Sequence, residues 1–418
     1  MSTGSGSVVV VGAGIIGIAC AHYLAEAGYS VRVIDQAEIG KACSHANCGL
    51  ICPSHVLPLN EPGALLDGIK SLFNPRAAFR IRPQLRLALY QWLWQFTRRC
   101  TKSQMLRAGS ALNSILESSM AEYRLLFHQG EVLGEWKENG LLYVFATLRG
   151  LDGFGATDTL LSENWGISAR QLQGTELPGF DPALKDGLAG AFFYEDDGSV
   201  RPDELISQWV TQLSARGVEF VSQCSLEAVE KRGGRVEGLL TSRDRMTADH
   251  YVFAMGAWSE KLSAELGCKI PVEPGKGYSV TMSRPGISPQ HPMLFPEHRV
   301  GATPFKTSYR LGSMMEFSGY DSSIPPQRIE QLQESARPYL REPTGECIEE
   351  TWYGWRPMTW DSLPIVGRVP KLANALLATG HNMLGLTLAP ATGRLIAELV
   401  QEQTPHIPIE AFSAGRFD

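Results

Sequence analysis

No apolar run in this chain approaches the roughly 18 residues that a membrane-crossing helix needs, and the apolar stretch at residues 8–11 runs straight into glycines. No C-x-x-C pair occurs among the eight cysteines, Cys20, Cys43, Cys48, Cys52, Cys100, Cys224, Cys268 and Cys347. Metal-ligand spacing is therefore missing, even around Cys43, Cys48 and Cys52 with their neighbours His45 and His55, and no bound metal is expected. No charged-then-apolar secretory pattern precedes the cysteines, so reduced thiols in a cytoplasmic compartment are expected. Basic excess is missing too: the formal net charge is −6, which gives no general attraction for nucleic acid, and no such partner is expected. A Ser-His-Asp set, a paired-carboxylate motif, internal repeats and low-complexity tracts are also lacking.

One absence is local. Residues 68–116 contain no Asp or Glu, yet carry Lys70, Arg76, Arg80, Arg82, Arg86, Arg98, Arg99, Lys102 and Arg107. Residues 61–129 read as helical, with Leu85, Leu89, Trp92, Leu93 and Phe96 on one face and Leu87 and Trp94 on a second stripe. Two readings stay open. The face belongs to the core, or it lies on anionic lipid, peripheral on the cytoplasmic face of the inner membrane, and meets an electron acceptor there.

What is present is an ordinary globular composition, 44% apolar and 20% charged, over 418 residues, enough for two to three domains. Residues 7–11 form a β-branched run followed at once by Gly12-Ala13-Gly14-Ile15-Ile16-Gly17 and an apolar-periodic stretch through Leu24. That order is strand, glycine turn, helix. Gly12 permits the tight turn, Gly14 lets the backbone approach a pyrophosphate, and Gly17 lets the helix pack on the strand. The helix N-terminus adds amide donors and partial positive charge for the phosphates. After Gly28, residues 30–34 form a second strand ending in Asp35, whose carboxylate suits a ribose diol and repels a 2′-phosphate. The site is for a dinucleotide. Beyond Gln36, the loop Lys41-Ala42-Cys43-Ser44-His45-Ala46-Asn47-Cys48-Gly49, continuing to Leu50, suits wrapping a long cofactor.

Short strands follow, at Leu141–Phe145 and residues 191–194, then a helix over 201–216. The run through Tyr251-Val252-Phe253-Ala254 into Met255-Gly256-Ala257-Trp258-Ser259 returns to the nucleotide-binding texture. Strands recur at residues 278–282, 308–311 and 314–317, and a helix over 389–401 closes the chain. The economical arrangement is two interleaved units. Residues 1–60, 195–262 and 350–418 form the nucleotide-binding one; 61–194 and 263–349 form a substrate-covering one.

Together, the glycine motif with Asp35, Ser44, Asn47 and Gly49, the Ala257-Trp258-Ser259 turn, Lys276-Gly277-Tyr278-Ser279, Gly354-Trp355-Arg356-Pro357 and the Gly380-His381 turn resemble the FAD-dependent D-amino acid oxidase superfamily over nearly the whole chain. Within it the likeness is to bacterial D-amino acid and D-hydroxyproline dehydrogenases. The resemblance implies an α/β fold with a glutathione-reductase-like FAD-binding Rossmann domain and an interleaved mixed-sheet substrate domain. It implies FAD contacts from Gly12, Gly14, Ile15, Ile16, Gly17, Asp35 and Gln36 around the ADP half. Around the flavin half come Ser44, Asn47, Gly49, Leu50, Gly256, Trp258, Gly380, Met383, Leu384, Gly385, Leu386 and Thr387. No cysteine lies in residues 354–393, so dissociable rather than covalent FAD is expected. Arg356 is expected to hold a substrate carboxylate with its planar fork or else to pin the loop of residues 352–360, and Tyr278 to belong to the core as a strand aromatic or to close over the substrate.

The implied reaction is hydride transfer to flavin N5 from the Cα of a D-amino acid, including a cyclic one such as D-proline or cis-4-hydroxy-D-proline. A quinone or an electron-transfer partner would take the electrons. An oxidase using oxygen and a catalytically quiet flavin subunit of a hetero-oligomer remain open alternatives.

Overall fold

The computed structural model describes residues 6–63, 77–130 and 134–418. Its organising element is the strand Ser7–Val11, whose residues 8–11 are all buried, as a strand covered on both faces must be. It pairs in parallel with Ser30–Ile34 on one side and His250–Phe253 on the other. Glu219–Val221 and Ala375–Thr379 extend the sheet in parallel, and Ile365–Arg368 adds an antiparallel edge. Helix Ile15–Glu26 crosses this sheet and meets the closing helix Gly385–Val400 at close range: a Cβ on Gly393 would lie 2.5 Å from the Ala19 carbonyl oxygen.

A second, mixed sheet runs in the order Ile348–Thr359, Val272–Ser283, Ser308–Phe317, Val300–Pro304, Met293–Phe295, Leu141–Phe145, Gly190–Tyr194 and Arg170–Gln173. Strand Ile348–Thr359 pairs antiparallel with Val272–Ser283, setting Gly354 opposite Gly277 and Arg356 opposite Gly275. This corrects the expected division of the chain, since the strand carrying Arg356 belongs to the covering sheet and not to the nucleotide-binding unit that residues 350–418 were to form. Strand pairing between residues as distant in sequence as Gly275 and Arg356 is a tertiary event that local pattern does not encode.

Three further expectations change. The two short strands at 308–311 and 314–317 are one strand with a bulge, at which Ser313 and Met314 take positive φ values of 134° and 57°. The helical reading of 61–129 holds for Leu87–Thr97 and Lys102–His128, but Phe79–Ile81 is a strand paired in parallel with Ser308–Phe317; residues 64–76 lie outside the described residues. The closing helix begins at Gly385, four residues before the expected Ala389. Pro390 accounts for the later expected start, because its missing N–H leaves the Leu386 carbonyl without an intrahelical partner. Tyr123 donates to that carbonyl at 2.6 Å, and Ser119 donates to the next one, of Thr387, at 2.5 Å.

The acid-free segment is resolved as well. Leu89, Trp92 and the partly buried Leu93 and Phe96 pack on Phe317, Met315 and Met358, so this face is core, whereas Leu85 sits ahead of the helix and is fully exposed. Three arginines turn inward, Arg82 and Arg80 to the buried Glu316, Arg82 also to Asp321 at 2.8 Å, and Arg86 to Glu273 at 2.9 Å, whereas Arg98, Lys102 and Arg107 are exposed. Lys70 and Arg76 lie outside the described residues. Leu87 and Trp94 remain exposed.

Glu316 also accepts from the Tyr278 hydroxyl at 3.1 Å and pairs with Arg328 at 3.3 Å. Glu316→Gln would leave these guanidinium groups without their buried counter-charge, and a loss of about 3–5 kcal/mol is expected. Urea unfolding at neutral pH measures it, and a loss below about 1 kcal/mol would show the cluster to be solvated.

Candidate functional site

A cavity of about 530 Å³ lies between the two sheets, lined from the glycine turn and Asp35 through residues 41–55 to Arg356 and residues 381–387. Gly12, at φ 107°, passes beneath Ala254: a Cβ there would lie 2.4 Å from the Ala254 carbonyl oxygen. Gly14 is different. It N-caps the helix in extended conformation, its nearest neighbour to a Cβ is Ser44 Oγ at 3.6 Å, and the helix has no acidic side chain in its first turn. The positive helix end therefore faces open space. Asp35 accepts from the backbone N–H of Ala13 at 2.8 Å and of Ala37 at 2.9 Å, which orients both oxygens beside the turn.

Residues 43–49 are held by their carbonyls. Ser279 donates to Ala46 O at 2.7 Å, Arg310 to Asn47 O at 2.9 Å and Thr303 to Cys48 O at 2.7 Å, all from the covering sheet. Asn47 Oδ1 accepts from Gly49 N–H, and Ser44 Oγ accepts from Ile15 N–H. Ser44 and Asn47 thus shape the wall as well as line it. Thr387, in the first turn of the closing helix, donates to Leu50 O at 3.2 Å and accepts from Cys52 N–H at 3.4 Å, which locks that helix N-terminus to the loop.

Of the residues named for the cofactor, Gly12, Gly14, Ile15, Ile16, Asp35, Gln36, Ser44, Asn47, Leu50, Gly256, Trp258, Met383, Leu384, Gly385, Leu386 and Thr387 line the cavity. Gly17, Gly49 and Gly380 do not, which is a correction with one cause: each makes room for backbone or a neighbouring side chain. A Cβ would lie 1.8 Å from Gly12 O at Gly17, 2.1 Å from Val200 O at Gly49 and 2.7 Å from Thr359 Cγ2 at Gly380. Reasoning from the sequence missed Cys224 and Leu226, which join the lining beside Asp35. They arrive through the pairing of Glu219–Val221 with Ser30–Ile34, for which the sequence carries no local signal. It also missed His55, Tyr353 and Trp355; the aromatic run before Arg356 was the available clue to the last two.

Arg356 lies over Gly277, where a Cβ would be 2.4 Å from its Nη1. Its Nη1 donates to Met314 O at 2.6 Å, a carbonyl presented by the bulge. Such an irregularity re-aims one group at the expense of a ladder bond. Among the described residues no Asp or Glu pairs with Arg356, and burial pulls its pKa down, opposed only by Cys43 and Cys48. A partly buried guanidinium with one carbonyl and no carboxylate has donors left for an anion. Tyr278 also lines the cavity, but its hydroxyl is committed to Glu316. At 1% exposure it packs in the core beneath the covering sheet and offers no free hydroxyl, which agrees with the core alternative for this strand aromatic.

A model of the FAD dependent oxidoreductase family matches residues 7–399. The chain belongs to this family. Its cofactor is FAD, and the open space at Gly14, the orientation of Asp35 and the helix start at Gly385 suit such a cofactor. The flavoprotein is similar in fold to glycine oxidase from Geobacillus kaustophilus (21% identity, 98% of each chain covered, TM-score 0.77). It is likewise similar to glycine oxidase from Bacillus cereus (22%, 96% of this chain and 97% of that one, 0.74) and L-proline dehydrogenase from P. horikoshii (19%, 99% and 98%, 0.72).

His381, 2% exposed, turns its Nε2 to Thr392 Oγ1 at 3.0 Å. Thr392 gives its own proton to Leu388 O at 2.8 Å, so His381 Nε2 carries the hydrogen and Nδ1 is bare. Burial holds this imidazole down at about 3, below the ordinary 6.5. The sign follows: the unfolded chain binds the extra proton, so His381 costs nothing above pH 6.5 and destabilises progressively as pH falls toward 3. Between pH 7 and pH 5 this amounts to about 2 kcal/mol. The stability difference between wild type and His381→Gln should therefore shift by that amount against wild type, and an unchanged difference by urea unfolding would contradict the neutral assignment.

Proposed function

We propose that this flavoprotein oxidises the Cα–N bond of a small amino acid. One observation carries the reading: Arg356 faces the cofactor cavity as a partly buried cation that no carboxylate among the described residues neutralises. Its fork matches a substrate carboxylate bidentately and so fixes the Cα–H in both place and direction. FAD, when bound, supplies the two-electron acceptor chemistry. The chain's own residues do the positioning. Met314 O holds the guanidinium from behind, Gly277 leaves it room, and Trp258, Tyr353 and Trp355 wall the cavity. The helix start at Gly385 directs partial positive charge toward the cavity, where negative charge develops on reduction.

The finer assignment, a D-amino acid dehydrogenase with D-proline or cis-4-hydroxy-D-proline among its substrates and a quinone or electron-transfer partner as acceptor, rests on the resemblance of the motifs around Lys276–Ser279 and Arg356. Dissociable FAD is part of the same proposal, and burial supports it: the cavity-lining thiols of Cys43, Cys48 and Cys52 are pushed up, Cys43 to about 11, and a protonated thiol is a poor nucleophile. Cytoplasmic location, with membrane contact, belongs here too. With Arg80, Arg82 and Arg86 paired inward, that contact would rest on the exposed Leu87, Tyr90 and Trp94 beside Arg98.

The deciding experiment is the visible flavin spectrum recorded anaerobically as D- and L-amino acids, proline and hydroxyproline isomers and glycine are added in turn. Bleaching by a D-amino acid alone supports the full proposal. Bleaching by glycine or an L-isomer alone keeps the amine oxidation and removes the handedness, and a spectrum that no amine bleaches removes both.

A further inference from the structure

Next to the cavity, on the side of Cys52 and His55, lies a buried acid that substrate binding does not use. Asp197 is 0% exposed. Its carboxylate accepts from Ser54 N–H at 3.0 Å and from Ser54 Oγ at 2.6 Å, and among the described residues no Lys, Arg or His pairs with it. Ser54 also acts on the neighbouring Tyr143 hydroxyl, which meets His55 Nδ1 at 3.3 Å. His55 lines the cavity itself. Two hydrogen-bonded pairs, His55–Tyr143 and Ser54–Asp197, therefore line up between the flavin cavity and a carboxylate sealed in the core, and the Tyr143 hydroxyl has only to turn toward Ser54 to join them.

We propose that His55, Tyr143, Ser54 and Asp197 form a proton relay that carries the amine proton out of the cavity during oxidation and stores it on Asp197. The source of the proton rests on the amine-oxidation reading; the coupling between the flavin's charge and Asp197 does not. The Cα–H leaves as hydride, taking both electrons of its bond to the flavin. The nitrogen lone pair then forms the C=N bond, and the resulting cation sheds one N–H proton. His55 takes it at Nε2 and releases its Nδ1 hydrogen to Tyr143; Tyr143 passes its own to Ser54, and Ser54 passes its own to Asp197. The carboxylate becomes a carboxyl, no electron moves within the relay, and reoxidation by a two-electron, two-proton acceptor, a quinone or dioxygen, draws the proton back.

The surroundings suit storage over permanent ionisation. The groups that act on Asp197 are themselves acidic or neutral: Asp196, the Cys52 thiol, Tyr143, and Tyr194, whose hydroxyl is given to Asp158 at 3.1 Å; the cation Arg124 pairs with the exposed Asp196 at 3.7 Å. Burial pushes the Asp197 carboxyl up to about 7 against the two Ser54 hydrogen bonds that lower it. Burial also keeps His55 below its usual value, so it passes a proton on instead of holding it. A carboxyl poised there responds to new negative charge in the cavity by taking up a proton.

The test uses the holoenzyme and no substrate. The bound flavin is reduced with dithionite or by light near neutral pH while the infrared difference spectrum is recorded. Wild type should gain the carbonyl stretch of a protonated carboxyl in step with flavin bleaching. Asp197→Asn, which keeps an acceptor for Ser54, should lose that gain entirely. Tyr143→Phe, which leaves Asp197 and its cap intact, should still bleach promptly but acquire the band at least about tenfold more slowly. No carboxyl gain in wild type, a gain that survives in Asp197→Asn, or a gain in Tyr143→Phe as fast as in wild type would each overturn the relay. A failure of every amine to bleach the flavin would instead overturn the substrate reading and leave this result standing.

Discussion

Arg356→Lys should lower kcat/KM on the order of 10²-fold, mostly through KM, while the protein keeps its flavin and its yellow colour. The guanidinium spends one donor on Met314 O, and the remaining fork is what a carboxylate can engage. Lysine retains the charge but not the planar pair of donors, and its ammonium cannot serve Met314 and both carboxylate oxygens in the same geometry. Losing one charge-assisted hydrogen bond costs about 1.5–3 kcal/mol, which is roughly one to two decades. Arg356→Ala should cost more and reduce kcat as well, because the Cα–H loses its direction. Steady-state kinetics on the best amine, beside a flavin-binding titration, separates the effects. An unchanged KM in Arg356→Lys would remove Arg356 from substrate binding, and loss of flavin from that variant would make it a structural arginine.

Gly14→Ala and Gly17→Ala should differ in kind, although both remove a glycine from the same turn. At Gly17 a Cβ would lie 1.8 Å from Gly12 O, so helix and strand must separate. Several kcal/mol of stability should be lost with or without cofactor. At Gly14 the backbone is extended and a Cβ meets only Ser44 Oγ at 3.6 Å. The apoprotein should then melt within a few degrees of wild type. The methyl instead occupies the approach of the pyrophosphate, and FAD affinity should fall on the order of 10²-fold. Thermal unfolding of the apoproteins and flavin titration read the two effects apart. If Gly14→Ala binds FAD as wild type does, the pyrophosphate does not pass over that residue.

This pair also shows how far local pattern reaches. The spacing Gly12-x-Gly14-x-x-Gly17 identified the turn and gave Gly17 to the packing of its helix, which the close approach to Gly12 O agrees with; it was the family resemblance that also counted Gly17 among the cofactor contacts. Gly49 and Gly380 share that fate. Likewise Tyr278 was legible as a strand aromatic near the site, but the destination of its hydroxyl was not. Glu316, which takes it, sits across a bulge that shifts the register between Val272–Ser283 and Ser308–Phe317. The acid-free stretch left a lipid-facing reading open beside the core one because the counter-ions of Arg82 and Arg86, Glu273, Glu316 and Asp321, lie more than 150 residues away.

By itself the sequence determined the strand, glycine turn and helix, the carboxylate at Asp35, the family resemblance and the choice of Arg356. These depend on neighbouring side chains, on conformational freedom at single residues and on the chemistry of a single group, all of which are written locally. Only the tertiary structure decided which sheet carries Arg356, which carbonyl holds it, and that no carboxylate among the described residues neutralises it. It alone also brought Asp197 into line with His55. The physical reason is the same in each case: hydrogen-bond partners and counter-charges are met across sheets, and whether a buried group is satisfied depends on chain segments that come together only when the whole molecule packs.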